Sequence, residues 1–333
     1  MSLSISGMPC VSVHFAGILG SGMSALAQYL AWEGLAVTGS DRLRDAGHTA
    51  ATRTKLEALG CRVCAQDGSG VTARTDAVVV STAIEKDNPD VAAARARSIP
   101  VFHRSDVLAA AVASKHTIAV AGTSGKSTVT AMVFHLLRHA GKDPSLIAGA
   151  NLHDLIAEGF VGNAFHGSSG LLVVEADESD GSLVKYHPAV SVFLNLSRDH
   201  QPEDETLAMF RTLAVQSGEV IVNADDPRLD ALQADARFGT AARAQYRASL
   251  SSDAGAARVT VESHAFEARF PGMHMAQNLL ASLCVCMRLG VDQDTLARGA
   301  RAYAGIARRF DRTPTKRGIT VIDDYAHNPD KVR

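Results

Sequence analysis

The sequence predicts an α/β protein, in which an N-terminal Rossmann-like domain with a parallel sheet is followed by a central α/β domain built on a phosphate-binding loop (P-loop). Two observations predict this class. Strand and helix patterns alternate through the first hundred residues, which favours right-handed βαβ units. A second alternating series then begins with a strand that runs directly into a loop rich in Gly and Ser. With 333 residues, the chain has room for two domains and part of a third.

The first unit is an alternation of short apolar strands with helices of mixed polarity. The strands are VSVHFAG (11–17), LAVTGSD (35–41), DAVVVST (76–82) and IPVFHR (99–104). The helices are GMSALAQYLAWEG (22–34), TRTKLEALG (52–60) and PDVAAARARS (89–98), with SDVLAAAVAS (105–114) leading out of the unit. We place the first domain at residues 1–112.

The second unit begins with the strand HTIAVAG (116–122), followed by the loop and the helix KSTVTAMVFHLLRHAG (126–141). Its later elements are the strands SGLLVVEAD (169–177), AVSVFLNL (189–196) and GEVIVNADD (218–226) and the helix MAQNLLASLCVCMRLG (275–290). This central domain is predicted to span residues 113–311. Residues 312–333 contain one strand and a turn, which we interpret as the opening of a further, truncated domain.

Bulk composition narrows the class of protein. A net charge of −2 gives no electrostatic reason to expect nucleic acid or an anionic membrane as a partner. No apolar run reaches the roughly 20 residues of a membrane span, and the N-terminus lacks a signal-peptide pattern. Five cysteines in a chain of this length favour a reducing cytoplasm and buried thiols, including those of the Cys61/Cys64 CxxC pair. The sequence does not indicate an oligomeric state.

The loop VAGTSGKST (120–128) has the parts of a phosphate cradle in an unusual spacing. The usual P-loop has a Gly five residues before the Gly that precedes the Lys, and Val120 occupies that position here. A cradle needs converging N–H groups, a helix N-terminus and a Lys that reaches the outer phosphates. Gly122, Gly125, Lys126 and the hydroxyl residues Ser127 and Thr128 supply them, with Ser127 as a magnesium ligand. The alternative is a capped helix start with an exposed lysine.

A second loop, GILGSGMSALA (17–27), resembles the dinucleotide fingerprint, although Leu19 replaces its central Gly. Asp41 ends the next strand, where an acid could bind a ribose hydroxyl. A tight turn without a ligand is the alternative interpretation.

Acidic residues end the strand in VVEADESDGS (173–182), and Glu175 is the natural magnesium ligand beside the P-loop. Asp177 and Glu178 lie beyond the strand end, and a solvated acidic loop is the alternative. NLSRDH (195–200) brings Asp199 and His200 to the same sheet edge, although a single His there is more often structural. His135 and His139, four residues apart on the P-loop helix, lack the Glu of a zinc protease motif and are predicted to be ordinary helix residues.

Taken together, these stretches resemble the Mur ligase family of ATP-dependent amino-acid ligases of peptidoglycan synthesis, which spells its phosphate loop as GTxGK with Thr or Ser. The motifs GTSGKST, EADESDGS, NLSRDH, VNADDP, ARRFD and DDYAHNP occur in the order used by that family. The similarity extends from about Val13 to the last residue. It implies a UDP-sugar domain, a central ATPase domain and a C-terminal domain for the incoming amino acid. The N-terminal motifs are most similar to those of the members that begin peptide assembly.

The resemblance implies a reaction and a set of ligands. ATP phosphorylates the carboxylate of UDP-N-acetylmuramate, and the amine of L-alanine, or of a related amino acid or peptide, attacks the acyl phosphate. ATP and Mg²⁺ are the implied cofactors. Catalysis is assigned to Lys126, Glu175, His200 and Arg309. Ser127 and Glu175 would hold one magnesium ion, His200 would serve a second, and Arg309 would reach phosphate from the hinge.

The binding residues follow from the same motifs. The ATP-binding residues are Gly122, Thr123, Ser124, Gly125, Lys126, Ser127, Thr128 and Asn278. The UDP-sugar-binding residues are Gly17, Gly20, Ser21, Gly22, Met23, Ser24, Asp41 and Ser81.

Three positions depart from the family pattern. Leu19 replaces a Gly of the N-terminal loop, and Ser124 stands where His is usual in the alanine-adding members. Met275 replaces the first Asn of the adenine-binding HNxxN motif, which reads His-Met-Ala-Gln-Asn here. A thioether cannot form the paired hydrogen bonds that an amide makes to adenine. A ligase that reattaches recovered murein peptides to the same UDP-sugar, and a catalytically impaired nucleotide-sugar-binding paralogue, are therefore alternative interpretations. An NAD-dependent dehydrogenase is the weakest one.

The sequence also predicts which ligands the chain takes on its own. Because the C-terminal domain is expected to bring the amine, we expect this chain to bind its ligands without completing the ligation. Because Leu19 crowds a dinucleotide pyrophosphate, the N-terminal domain should bind UDP-N-acetylmuramate in preference to NAD. Titration calorimetry with each ligand tests this preference, and tight NAD binding without UDP-sugar binding would reverse it.

Overall fold

The computed structural model describes residues 2–179, 181–198, 201–314 and 318–326. Its first part contains β1 (Leu3–Ile5), β2 (Met8–Cys10), β3 (Ser12–Ala16), α1 (Ser21–Trp32), β4 (Ala36–Ser40), α2 (Ala50–Ala58), β5 (Arg62–Cys64), β6 (Ala77–Val80), α3 (Pro89–Ala96), β7 (Val101–His103) and α4 (Arg104–Ala113). Strands β3 to β7 form one parallel sheet in the order β5-β4-β3-β6-β7. This is a Rossmann-like order, whose direction reverses between β3 and β6. The short hairpin of β1 and β2 precedes it and was not predicted from the sequence.

The central part is larger and is organised around a ten-stranded sheet. It contains β8 (His116–Ala121), α5 (Lys126–His139), β9 (Ser145–Ile147), α6 (His153–Ala157), β10 (Ala164–Phe165), β11 (Leu171–Glu175), β12 (Val190–Phe193), α7 (Glu203–Val215), β13 (Glu219–Asn223), β14 (Ala236–Gly239), β15 (Tyr246–Ser252), β16 (Ala257–Val261), β17 (His264–Ala268), α8 (Met273–Arg288) and α9 (Gln293–Ala302). The strand order is β10-β9-β11-β8-β12-β13-β14-β15-β16-β17.

Seven strands of this sheet, in the order β9-β11-β8-β12-β13-β14-β15, pair in parallel with one another. Antiparallel pairs are added at its two ends by β10 on one side and by β16 and β17 on the other. The predicted α/β class, with a parallel N-terminal sheet and a central P-loop unit, is therefore confirmed. The antiparallel addition after β14 was not predicted. Its strands are half exposed, so their apolar pattern is weaker than that of the buried parallel strands.

Burial on both faces explains why the central strands read as continuous apolar runs. In β11, Leu172 and Val174 belong to the hydrophobic cluster shared with the N-terminal sheet, whereas Val173 belongs to the cluster beneath α5 and α8. Successive side chains of a strand point to opposite faces, so a strand covered on both sides needs an apolar residue at each position. The shared cluster also packs α1 and α4 between the two sheets.

The C-terminal segment forms the hairpin of β18 (Asp311–Pro314) and β19 (Thr320–Asp323). The sequence predicted the second of these strands but not its partner. The described side chains of β19 are exposed, including the apolar Val321 and Ile322. The domain limits after residues 112 and 311 remain predictions, the second of which falls at the first residue of β18.

A close approach at Gly39 fixes the N-terminal loop against its sheet. A Cβ atom at this position would lie 2.6 Å from Cβ of Ile18 and 2.8 Å from the carbonyl oxygen of Phe15. Real side chains do not tolerate such contacts, and part of the obstruction is backbone that cannot rotate away. Gly39 therefore allows the loop after β3 to lie directly on β4.

We predict that Gly39→Ala lowers the free energy of unfolding by about 1–3 kcal/mol, because overpacking a filled site forces neighbouring atoms to move. Urea unfolding followed by circular dichroism measures the change. Gly170→Ala is the matched control, since a Cβ there meets no atom within 4 Å. Equal stability of the two variants would contradict the steric role of Gly39.

Candidate active site

The loop between β8 and α5 is shaped by two glycines. Gly122 has φ +147° and Gly125 has φ +86°, values that L-residues with side chains rarely adopt. Space is restricted as well, since a Cβ at Gly125 would lie 2.5 Å from Oδ1 of Asn278, and one at Gly122 would lie 2.9 Å from Cβ of Leu194. The two predicted cradle glycines are thus required by conformation and by packing.

The first turn of α5 presents a row of N–H donors at the carboxyl edge of the sheet. The N–H groups of Gly125, Lys126, Ser127 and Thr128 have no acceptor among the described residues. None of the described side chains caps this helix, and no acidic residue lies in its first turn. Free N–H groups at a helix N-terminus, reinforced by the helix dipole, form a site for an anion such as phosphate.

Two predicted magnesium ligands, Ser127 and Glu175, lie beside this turn. Ser127 Oγ donates to Glu175 Oε1 at 2.9 Å, and the Gly149 N–H donates to Oε2 at 3.2 Å. Burial raises the pKa of the Glu175 carboxyl, with the nearby Lys126 opposing the rise. A hydroxyl and a carboxylate are hard oxygen donors, and Mg²⁺ commonly combines one or two of these with waters and substrate phosphates. The pair therefore fits Mg²⁺. His200, predicted to serve a second ion, lies outside the described residues.

The ammonium of Lys126 is held by the acidic segment that follows β11. Its Nζ lies 2.8 and 3.1 Å from the carboxylate oxygens of Glu178 and 3.6 Å from Oδ1 of Asp177. Burial alone would lower the pKa of Lys126, but the two carboxylates raise it overall, so the charge is retained. The Glu178 side chain is only 3% exposed. The interpretation of this segment as a solvated acidic loop is therefore wrong for Glu178.

The start of α8 places the adenine-motif positions on two different faces. Met275 is buried in the cluster beneath the sheet, whereas His274 and Gln277 are exposed and Asn278 is partly exposed. Asn278 lies against the P-loop at Gly125. Because Met275 faces inward, Gln277 and Asn278 are the amide side chains of this motif available to a nucleotide. The role of Asn278 stays a prediction.

Arg309 is found beside Tyr325 and on the wall of a groove, and no hydrogen bond joins it to the P-loop among the described residues. Its guanidinium lies 5.5 Å from the ring centre of Tyr325, and it lines a groove of about 210 Å³ that also contains His153, Arg269 and Phe270. A guanidinium on a groove wall can bind phosphate, but the predicted role of Arg309 is not demonstrated by these contacts.

The N-terminal loop lies where the carboxyl ends of β3 and β6 meet, which is the position where Rossmann-like sheets bind nucleotides. Gly17, with φ +80°, begins the turn, and its N–H donates to Ser40 O at 2.8 Å. Gly20 precedes α1, and Ser81 follows β6 at the same edge. These predicted UDP-sugar residues are therefore brought together.

Three further residues of the predicted UDP-sugar set face the protein. The Asp41 carboxylate accepts hydrogen bonds from the N–H groups of Leu19 at 3.0 Å and Leu43 at 2.8 Å, so it supports the loop. Met23 and Ser24 are buried. Ser24 Oγ accepts a hydrogen bond from the amide of Asn163, which also donates to the carbonyl oxygen of Ser21 at 2.7 Å. This buried contact attaches α1 to the central unit.

Arg104, the first residue of α4, lies beside the first turn of α1 and within electrostatic reach of the acidic segment after β11. Its Nη1 is 3.2 Å from the position of a Cβ at Gly22, and its charge is one of the influences that hold the pKa of Asp177 below its ordinary value against the effect of burial. Sequence reasoning missed this residue, because only the folded chain brings the start of α4 close to α1 and to the acidic segment.

The two family models that match this chain correspond to its two sheets. Residues 12–116 match the Mur ligase family, catalytic domain, and residues 120–286 match the Mur ligase middle domain. The chain belongs to the Mur ligase family. The predicted family is thus confirmed by matches that cover both sheets.

Similar Mur ligases are found among bacterial enzymes. The UDP-N-acetylmuramate–L-alanine ligase of Arthrobacter sp. (strain FB24) is 38% identical, over 96% of this chain and 70% of that protein. The enzyme of the same name from Renibacterium salmoninarum is 39% identical, over 96% and 71%. The crystal structure of UDP-N-acetylmuramate-alanine ligase from Thermotoga maritima superimposes with a TM-score of 0.84 at 28% identity, covering 96% of this chain and 75% of that one.

The two histidines of the P-loop helix in this Mur ligase have structural contacts. His135 lies 2.9 Å from Asp154 and 3.0 Å from the Gly299 carbonyl oxygen through its two ring nitrogens, and it stacks on His139, as expected for ordinary helix residues.

All five cysteines are free, and Cys64 alone is not fully buried. Within the described ranges, no three Cys, His, Asp or Glu side chains gather as a metal site. In those same ranges, none of the helices has the length and apolar character to cross a membrane.

The Lys126 ion pair predicts a pH-dependent loss of stability in Lys126→Met. Burial raises the pKa of Glu178, and the ammonium opposes that rise. Without the ammonium of Lys126, the pKa of Glu178 in the folded protein rises further. The folded protein then binds the Glu178 proton more tightly than the unfolded chain does. Stability contributed in this way is lost as the pH increases through the folded-state pKa. We expect the variant to lose about 1–3 kcal/mol more, relative to wild type, at pH 7.5 than at pH 5.

Urea unfolding at the two pH values measures this difference. Lys185→Met is the control, because the Lys185–Asp106 ion pair, 2.7 Å long, involves a lysine that is 42% exposed. A loss of stability in Lys126→Met that is the same at both pH values would show that Glu178 does not depend on Lys126.

Proposed function

We propose that this Mur ligase joins L-alanine to the carboxylate of UDP-N-acetylmuramate, using ATP and passing through an acyl phosphate. The observation that carries the proposal is the convergence of the free N–H groups of α5, Lys126 and the Ser127–Glu175 pair at one sheet edge. The choice of substrate is supported by relatives that bear this name at 34–39% identity over nearly the whole chain.

The P-loop residues would stabilise the phosphoryl group during its transfer. The N–H groups of residues 125–128 would bind the phosphate oxygens of ATP, and Lys126 would exchange Glu178 for the outer phosphate. Mg²⁺, held by Ser127 and Glu175, would supply positive charge to the transferring group. Charge of this kind, fixed before the reaction begins, is the main contribution of a protein to phosphoryl transfer.

The two sheets would divide the substrates between them. We propose that the N-terminal unit binds the UDP-sugar at the loop after β3, and that the central unit binds ATP at the loop after β8. Arg104, which lies beside Gly22 and influences the pKa of Asp177, would offset the charge of the sugar carboxylate as it approaches the terminal phosphate of ATP. His200 and Arg309 would contribute a second magnesium site and a further phosphate contact.

Trapping with hydroxylamine tests the first half-reaction without requiring the amino acid. Hydroxylamine converts an acyl phosphate to a stable hydroxamate, so the protein, ATP, Mg²⁺ and UDP-N-acetylmuramate should yield ADP and hydroxamate in equal amounts. We expect Lys126→Met and Glu175→Gln to lower both rates by about 10²-fold or more. Lys185→Met, which changes a lysine outside the P-loop, should remain at the wild-type rate. ADP release that does not require the UDP-sugar would contradict the proposed substrate.

Measuring amide formation shows which amine the protein uses as the acceptor. In the same mixture without hydroxylamine, L-alanine and a murein tripeptide are supplied separately, and the products are separated by mass. Because we expect this chain to complete little ligation on its own, the two acceptors are compared by their relative amide yields, and the proposal expects the larger yield with L-alanine. Preference for the tripeptide would instead assign this chain to murein-peptide recycling.

A further inference from the structure

The P-loop of this chain is two residues shorter than the usual spacing, yet its backbone is firmly held. Gly122 and Gly125 are three residues apart, whereas the corresponding glycines of the usual motif are five apart. A shorter loop has fewer internal groups with which to fix its own conformation. The missing support comes from Asn195, a residue that follows the neighbouring strand β12.

The carboxamide of Asn195 pairs with both polar backbone groups of Ser124. Its Oδ1 accepts from the Ser124 N–H at 2.8 Å, and its Nδ2 donates to the Ser124 carbonyl oxygen at 3.0 Å. Oδ1 also accepts from the Thr123 hydroxyl at 3.0 Å, and the Asn195 carbonyl oxygen accepts from the Thr123 N–H at 3.2 Å. One side chain therefore fixes two consecutive loop residues through a planar amide pair and a hydroxyl contact.

The neighbours of Asn195 are themselves anchored, which fixes the direction of its side chain. The Leu194 carbonyl oxygen accepts from Nδ2 of Asn223 at 2.8 Å, and the Leu196 N–H donates to Asp226 at 2.8 Å. On the far side, the Ser197 N–H donates to the Thr123 hydroxyl at 3.0 Å. The strand end that carries Asn195 thus acts as a rigid support for the loop.

These bonds divide the loop N–H groups into two sets. The N–H groups of Thr123 and Ser124 are occupied by Asn195, whereas those of residues 125–128 have no acceptor among the described residues. Only the second set can donate to a ligand without breaking a protein contact. The direction of that set depends on Ser124, because Ser124 immediately precedes Gly125, the N-cap residue of α5.

We propose that Asn195 is the positioning residue of the nucleotide site: it clamps Ser124 so that the N–H groups of residues 125–128 are already directed at the phosphates before ATP binds. It thereby replaces the support that a longer P-loop provides for itself. The inference rests on the proposed function only in taking ATP as the ligand of this loop. It assigns Asn195 no contact with the reacting atoms.

The experiment compares Asn195→Leu with Asn88→Leu. Leucine keeps the branched shape of asparagine but cannot form the amide pair. Asn88 is the matched control, because it is also a buried asparagine whose side chain bonds backbone, at the start of α3, and its bonds among the described residues lie outside the P-loop and the strand end that carries Asn195. Calorimetry measures the dissociation constants of ATP and UDP-N-acetylmuramate, and hydrogen exchange measures protection of the Ser124 amide.

We expect Asn195→Leu to weaken ATP binding at least tenfold, to leave UDP-sugar binding within twofold of wild type and to abolish protection of the Ser124 amide. Asn88→Leu should alter ATP binding less than threefold even if it melts at a lower temperature. Unchanged ATP affinity in Asn195→Leu, or an equal loss in both variants, would overturn the proposal. If Asn195→Leu fails to fold, Asn195→Ser, which leaves space for water, is held to the same outcomes.

The outcomes also separate this inference from the proposed function. If the wild-type protein binds ATP but forms no hydroxamate, the ligase reaction is contradicted. The role of Asn195 is then still tested by the ATP-binding measurements. Wild-type protein that does not bind ATP would overturn both.

Discussion

The parallel pairing of β8 with β11 and β12 is the constraint on which the candidate site depends. In this register Glu175 lies opposite Val120, and Phe193 lies opposite Ala121. All three strands therefore end at one edge, where the P-loop, the acidic segment and Asn195 emerge side by side. Loops at that edge can hold chemistry because the strands beneath them are buried on both faces and cannot shift register without exposing apolar side chains. The fixed register of the buried strands therefore fixes the positions of the site residues above them.

Charge at this edge determines what the site can accept. Three carboxylates, those of Glu175, Asp177 and Glu178, act on the ammonium of Lys126. A nucleotide triphosphate would be repelled by such a group unless a cation accompanied it or the carboxylates were drawn away from the lysine. Mg²⁺ on Ser127 and Glu175 meets the first need, and exchange of Glu178 for phosphate meets the second. The arrangement therefore favours nucleotide and metal binding together over nucleotide alone.

Sequence reasoning found the parts of the site that are local in the chain. The loop glycines, Lys126 and Ser127 lie within six residues of one another, and Glu175 is marked by the end of an apolar strand. Asn195 was quoted only as the first letter of a motif, because its importance lies in contacts to a loop about 70 residues away. Arg104 was missed for the same reason. Glu178 was placed only beyond the strand end, with a solvated loop as an alternative, since no pattern in the sequence shows that a charged residue is buried against a lysine 52 residues earlier.

The fold shows the same distinction between local and distant information. Continuous apolar strands were recognised, because burial on both faces leaves a strong pattern, whereas half-exposed hairpins such as β15 to β17 were not. Met275 illustrates how register on a helix decides a question that a motif leaves open. The position was read as one that faces the base, but it faces the core, and the turn that follows presents Gln277 and Asn278 instead. A substitution that looks disabling in the motif is therefore a core residue in the structure.

The two candidate loops are coupled through buried polar contacts. Asn163 of the central unit binds the first turn of α1 at Ser21 and Ser24, and it accepts from Gln28 at 2.9 Å. Because buried amides are costly to leave without partners, separating the two units at this interface would cost several hydrogen bonds at once. Arg104 then joins the same two regions electrostatically, next to Gly22 on one side and Asp177 on the other. The distance between the two loops is thus set by the protein before any ligand binds, which is what a reaction between two separately bound substrates requires.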